Sequence, residues 1–164
     1  MRTGCIQMGI RMKPNELWAE GMGQDRLVRG ILRELGGRTM VLGLGSDLIE
    51  IARIEKSIER FGVRFLERVF TPAEIAYCQR KKHAAESFAA RFAAKEAGAK
   101  ALGTGISHGI AWPEIEVRRE ATGKPVLHWS GRALARAQAM GVRRTSLTLT
   151  HARELALAVV VVED

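Results

Sequence analysis

The stretch IEVRREATGKPVLHW (115–129) changes the period of this 164-residue chain. IEVRRE and PVLHW read as strands, and the ATGK between them carries turn chemistry, which predicts a β-hairpin turning at Thr122–Gly123. Upstream the pattern is helical. HAAESFAARFAAKEAGAKALG (83–103) is a long alanine-rich helix ended by Gly103. TPAEIAYCQRKK (71–82) begins with Thr71 as N-cap, Pro72 in the first turn and Glu74 completing a capping box. VRFLERVF (63–70) is a shorter helical piece, and IEIARIEKSIERFG (49–62) carries an apolar stripe at 51, 54, 58 and 61. MVLGLGSDL (40–48) reads as a short buried strand that stops at Gly-Ser-Asp. Downstream, SGRALARAQAMG (130–141) returns to helix with Ser130 as its cap, and TSLTLTH (145–151) with LALAVVVVE (155–163) forms a closing hairpin. This order of strand, helices, hairpin, helix and hairpin predicts an α+β fold with an antiparallel sheet packed with helices, not a βαβ repeat.

Length and composition suit one globular domain with a tail. No apolar run approaches the roughly 20 residues of a membrane span. Cys5 and Cys78 stand far apart and form no CxxC, which argues against a zinc site or disulfide framework and fits a cytoplasmic protein. Residues 1–39 are glycine-rich and offer one helical candidate, DRLVRGILREL (25–35), so they read as an extension, poorly ordered or not native, ahead of a domain over 40–164. The net charge is +8, of which 40–164 keep +5, because 1–39 carry seven bases and four acids. Such a surface attracts nucleic acid, anionic membrane, polyphosphate ligands or acidic proteins alike.

The chemistry concentrates in RFAAKEAGAKALGTG (91–105). Glu96 and Lys100 are four apart on one helical face, as are Arg91 and Lys95, a spacing that also makes ordinary surface ion pairs. The neighbours Phe88, Ala89, Phe92, Ala93, Ala97 and Ala101 predict a helix buried over much of its circumference, where a carboxylate is costly unless paired or cation-bound. GLGSDL (43–48) lacks the third glycine of a dinucleotide fingerprint. Asp47 is left as either a helix cap or a carboxylate ligand, and together with Glu96 it would make a hard-oxygen pair suited to Mg²⁺. Gly103–Gly105 caps the helix and could let a phosphate approach the backbone. GKP (123–125) and His151 have bland structural readings, and four histidines without paired spacing give zinc no support.

In order along the chain, GLGSDLIEIARI, FAARFAAKEAGAKALGTGI, WPEIEV, GKP and SLTLTH resemble the holo-[acyl-carrier-protein] synthases, the short class of 4′-phosphopantetheinyl transferases. The resemblance runs from about Met40 to Val162 and implies that fold. It also implies transfer of the phosphopantetheine arm of coenzyme A to a serine of apo-acyl carrier protein, with Mg²⁺, releasing adenosine 3′,5′-bisphosphate. By matching position, Asp47 and Glu96 are expected as Mg²⁺ ligands and Glu96 and Lys100 as catalytic residues. Lys95 and Lys100 are expected at the coenzyme A phosphates, and Gly103, Thr104 and Gly105 close to the nucleotide. Lys124 of the GKP turn and His151 would line the coenzyme A cleft, and Arg53 would meet acidic residues of the carrier. The serine proton goes to Glu96 or to a metal-bound water, and the sequence leaves both open. The class further implies a homotrimer with sites between subunits, and Met40 as the start. The alternative is a basic α+β module binding RNA or another polyanion without catalysis. Its weak point is a 5% aromatic content with no alternation for base stacking, so neither nucleic acid nor membrane is expected as a partner.

Overall fold

The computed structural model describes residues 39–106 and 109–164. The expectations for the extension, including the helix at 25–35 and Cys5, lie outside the described residues. Thr39 to Asp164 form one compact unit.

Strand β1 (Val41–Glu50) leads into helices α1 (Ile51–Phe61), α2 (Val63–Val69), α3 (Pro72–Gln79) and α4 (Ala84–Ala101). A 3₁₀ turn (Trp112–Glu114) opens the hairpin β2 (Ile115–Arg119) and β3 (Pro125–Trp129), followed by α5 (Gly131–Met140), β4 (Arg144–Ala152) and β5 (Leu155–Glu163). All strand pairs are antiparallel, but they fall into two sheets, β1-β5-β4 and β2-β3, where the sequence predicts one. The sheets meet through side chains: the Trp129 indole donates to Thr145 Oγ1 at 3.0 Å.

Two local expectations are corrected. β1 does not stop at Gly-Ser-Asp. β5 supplies partners along its length, Leu44 to Val161, Asp47 to Ala158 and Glu50 to Leu155, so extended backbone continues until the Ile51 N–H bonds Glu154 O at 2.7 Å. Asp47 therefore lies within a strand and caps no helix. Ser130 occupies the N-cap position of α5 but makes no cap bond; its hydroxyl donates to Glu114 O at 3.4 Å. The capping box of α3 forms as predicted, with Glu74 N–H donating to Thr71 Oγ1 at 3.3 Å and Thr71 N–H to Glu74 Oε2 at 2.9 Å.

Helix α4 is the central element, packed on the inner face of the three-stranded sheet. Gly43 and Gly45 let it approach: a Cβ on Gly45 would lie 1.9 Å from Ala97 O, and one on Gly43 2.0 Å from Ala101 O. Along that contact Ala97 and Ala101 face Ala158, Val160 and Val162, all buried. On the other side of α4, Phe70 is 1% exposed and its ring meets Phe88 at 5.0 Å and Phe65 at 6.2 Å. Of the α1 stripe, Ile51 and Ile54 are buried while Phe61 is 46% exposed. On the outer face of the three-stranded sheet, apolar side chains are open on β1 and β5, with Leu44 and Leu48 exposed on β1 and Leu155 on β5, while β4 presents Arg144, Ser146, Thr148 and Thr150 there.

Candidate active site

Because β1 runs on past Gly45, its inward-facing residue two positions later is Asp47, set against the last two turns of α4. Lys100 closes the gap. Its ammonium donates to Asp47 Oδ1 at 2.7 Å and to Ser46 O at 3.1 Å, with Asp47 largely covered and Lys100 half-exposed. Glu96, one turn earlier on α4, is half-buried. Burial pushes the Glu96 carboxyl above its ordinary value and the negative charge of Asp47 adds to the effect, while Lys100 and Arg53 oppose it. The fold thus brings Asp47, Glu96, Lys100 and Arg53 into one electrostatic neighbourhood. Among the described residues no group of three or more His, Cys, Asp or Glu side chains is placed to share a metal ion. Two carboxylates with hard oxygens fit Mg²⁺, which takes one or two carboxylates and completes its shell with water and substrate phosphates.

Lys95 is not part of this site. The resemblance assigns it to coenzyme A phosphates, but it is 0% exposed. Its ammonium donates to Glu74 Oε2 at 2.8 Å, Ile115 O at 2.6 Å and Trp112 O at 3.1 Å. A lysine ammonium has three N–H donors, so none is left for a phosphate. The reason is helical geometry. Consecutive residues on a helix are 100° apart, so when Glu96 faces β1, Lys95 faces α3 and β2.

The Gly103–Gly105 loop follows α4 as expected, with φ of +70° at Gly103 and +60° at Gly105. Its N–H groups turn inward: Gly103 bonds Lys100 O, and Thr104 and Gly105 bond Ala99 O. Arg136 of α5 adds a bond to Leu102 O at 3.0 Å. The backbone donors of the loop are thus taken up within the chain. Lys124 is exposed at the β2–β3 turn, and His151 Nδ1 lies 3.6 Å from Glu86 Oε2 near the start of α4. Among the described residues no hydrogen bond or ion pair joins either to Asp47, Glu96 or Lys100. Arg53 lines an open groove on α1 with Lys56, Ser57, Arg60 and Phe61. The sequence reading missed Lys56 and Arg60, although positions 53, 56 and 60 repeat at helical spacing and put three bases on one face.

Comparison with known proteins decides the family. The family model of the 4′-phosphopantetheinyl transferase superfamily matches residues 43–160. The chain belongs to that superfamily, among its holo-[acyl-carrier-protein] synthases. A holo-[acyl-carrier-protein] synthase of Koribacter versatilis is 52% identical over 125 residues, covering 76% of this chain and all of the relative. That of Maricaulis maris is 60% identical over 101 residues, 62% of this chain and 71% of the relative. The crystal structure of the Neisseria meningitidis enzyme superposes with a TM-score of 0.69 at 36% identity, covering 76% of this chain and all of that one. The Helicobacter pylori enzyme, solved in complex with coenzyme A, gives 0.65 at 35% identity over 73% and 98% of the two chains. The α+β transferase fold expected from the sequence is borne out, and the relatives decide for an enzyme over the RNA-binding alternative.

Proposed function

We propose that the Asp47, Glu96 and Lys100 site carries the phosphopantetheinyl transfer of this family, from coenzyme A to a serine of apo-acyl carrier protein, in the cytoplasm. One observation carries the assignment: a lysine on α4 bonded to a carboxylate on β1, with a second, desolvated carboxylate one turn away.

Phosphoryl-type transfer asks the protein mainly for alignment and charge neutralisation. Asp47 and Glu96 would hold a Mg²⁺ ion, which when bound supplies positive charge to the pyrophosphate oxygens. Lys100, half-exposed and already aimed at this point, donates to the bisphosphate as it departs. Its bond to Asp47 holds the ammonium there before substrate arrives. The Glu96 carboxylate, one turn from Lys100, also accepts the proton that the serine gives up. The serine oxygen then forms its bond to the β-phosphorus, and the bond to adenosine 3′,5′-bisphosphate breaks. The Gly103–Gly105 loop, three residues beyond Lys100, would lie beside the nucleotide. The basic groove of Arg53, Lys56 and Arg60 on α1, with Phe61 at its end, suits an acidic carrier.

Lys124 and His151 reach coenzyme A across a subunit boundary in a homotrimer. The exposed leucines of β1 support that assembly, since Leu44 and Leu48, on either side of Ser46, are 65% and 59% exposed. The deciding experiment incubates apo-carrier with coenzyme A, Mg²⁺ and the full chain and weighs the carrier by mass spectrometry. The added phosphopantetheine arm is expected with the parent and absent with Glu96→Ala. An Mg²⁺-dependent product from Glu96→Ala at the parent's rate would refute the site.

A further inference from the structure

Apart from Phe88, Arg91 and Lys95, the buried surface of helix α4 is smooth. Seven of its eleven buried residues are alanines, and Gly98 is another. Methyl-sized side chains interlock weakly, so hydrophobic packing alone gives little resistance to a small roll or slide of such a helix. Yet the site demands a fixed setting, because Asp47 is on β1 while Glu96 and Lys100 ride on α4.

Two charged side chains of α4 are buried, Arg91 and Lys95. Arg91 donates back to Ser87 O of its own helix and lies over the Tyr77 ring, whereas Lys95 is hydrogen-bonded to other elements. Its seat is built from three separate elements: the Glu74 carboxylate of α3, the Trp112 carbonyl of the 3₁₀ turn and the Ile115 carbonyl at the start of β2. Glu74 is itself 1% exposed and fully engaged. Its Oε1 accepts from Val117 N–H at 2.9 Å, and its Oε2 accepts from Thr71 N–H and from Lys95. Burial draws the Lys95 ammonium below its ordinary value, and the Glu74 charge opposes that shift. Sliding α4 by a single residue step, about 1.5 Å, would pull the ammonium from all three acceptors. Separating the partners would leave two buried charges uncompensated, so other settings of the helix are strongly disfavoured.

We propose that Lys95 and Glu74 are positioning residues of the transferase, a buried ionic rivet that sets the roll and register of α4 so that Glu96 and Lys100 meet Asp47. The proposal rests on the reading of Asp47 and Glu96 as the cation-holding pair.

The test replaces both charges at similar volume, Glu74→Gln with Lys95→Met, in the full chain. Exchanging a buried ion pair for neutral groups is often neutral for stability, so this double variant is expected to fold and melt cooperatively by circular dichroism. Its kcat should fall roughly ten- to a hundredfold, the loss that sub-ångström to ångström misplacement brings. Its affinity for manganese(II), followed by electron paramagnetic resonance without substrates, should fall about tenfold, as when a ligand loses its supporting partners. KM for coenzyme A should stay within about threefold, since uniform binding is untouched. A folded double variant with parental kcat and manganese affinity overturns the proposal, as does one in which only KM for coenzyme A rises. If the double variant does not fold, Glu74→Gln alone is read in the same two assays, and parental values there overturn it equally. Glu96→Ala, run alongside, separates the two ideas. If it loses manganese binding while the double variant keeps it, the rivet fails and the cation site stands. If Glu96→Ala keeps manganese binding, the cation site fails and the rivet, which acts through it, fails too.

Discussion

The Lys100 ammonium lies 2.7 Å from the Asp47 carboxylate, joining residues 53 positions apart in the chain. With Lys100 half-exposed, a pair of this kind contributes no more than about 1 kcal/mol to stability. Its value is in aim rather than in holding the fold. Lys100→Ala should therefore leave the melting temperature nearly unchanged while kcat/KM falls by roughly a hundredfold or more, the usual cost of removing one charge-stabilising donor. Steady-state kinetics with apo-carrier and a thermal melt on the same preparation check both halves. A melt that collapses together with activity would move Lys100 from chemistry to structure.

Gly45 permits the approach that makes that pair possible. Its missing Cβ would lie 1.9 Å from Ala97 O and 2.6 Å from Ala101 N, both backbone atoms that cannot step aside. Gly45→Ala should destabilise the protein by about 3 kcal/mol, at the upper end for overpacking, and should depress activity even in the folded fraction because α4 is driven away from β1. Gly62→Ala is a poor control because Gly62 has a φ of +53°. Ala52→Ser, at an exposed position on α1, is the better one and should melt like the parent. Denaturant titration of the two variants measures the difference.

The Glu96 carboxyl gives a pH signature. At low pH it is protonated in both the folded and the unfolded chain and contributes nothing. As the pH rises through the ordinary glutamate value, about 4.3, the unfolded chain loses its proton first, so the fold loses stability until its own raised value is passed. Without divalent cation, Glu96→Gln should be more stable than the parent at neutral pH, and the gap should close in acid. Mg²⁺ should reverse the order, adding about 2.7 kcal/mol to the parent at a hundredfold excess over its Kd and little to the variant. Thermal melts at pH 4 and pH 7.5, with and without Mg²⁺, read both effects. A parent as stable as Glu96→Gln without cation at neutral pH would contradict the desolvated carboxyl.

The open face of β1 supplies a test of assembly. Leu48→Glu introduces a charge where 59% of a leucine is exposed, so a lone protomer should tolerate it within about 0.5 kcal/mol. A trimer sealed through this face should dissociate, because an unpaired charge would be buried in the contact. Light scattering after gel filtration should show the parent as a trimer and the variant as a monomer of much lower activity. An unchanged mass for the variant would place the contact elsewhere.

Local chemistry was written plainly in the sequence. The Thr71–Glu74 capping box, the hairpin at 115–129, the alanine-rich helix ended by Gly103 and the alternation at 145–151 all rest on neighbours within a few residues. They appear in the structure where the period placed them. The pairing of Asp47 with the face of α4 that bears Glu96 and Lys100 was legible only through the order of motifs, since nothing within β1 distinguishes a ligand from a helix cap. The roles misjudged, or left undecided, were those fixed by distant partners. β1 runs past Asp47 because β5 lies beside it. Lys95 looks from sequence like the twin of Lys100, and its burial is decided by α3 and β2, contributed from 21 positions upstream and 20 downstream. A chain determines its periods and caps by itself, because those energies are short-ranged. Which of two adjacent charges is sealed inside and which is left facing the substrate depends on the surfaces that close over the helix, and those exist only once the whole domain has folded.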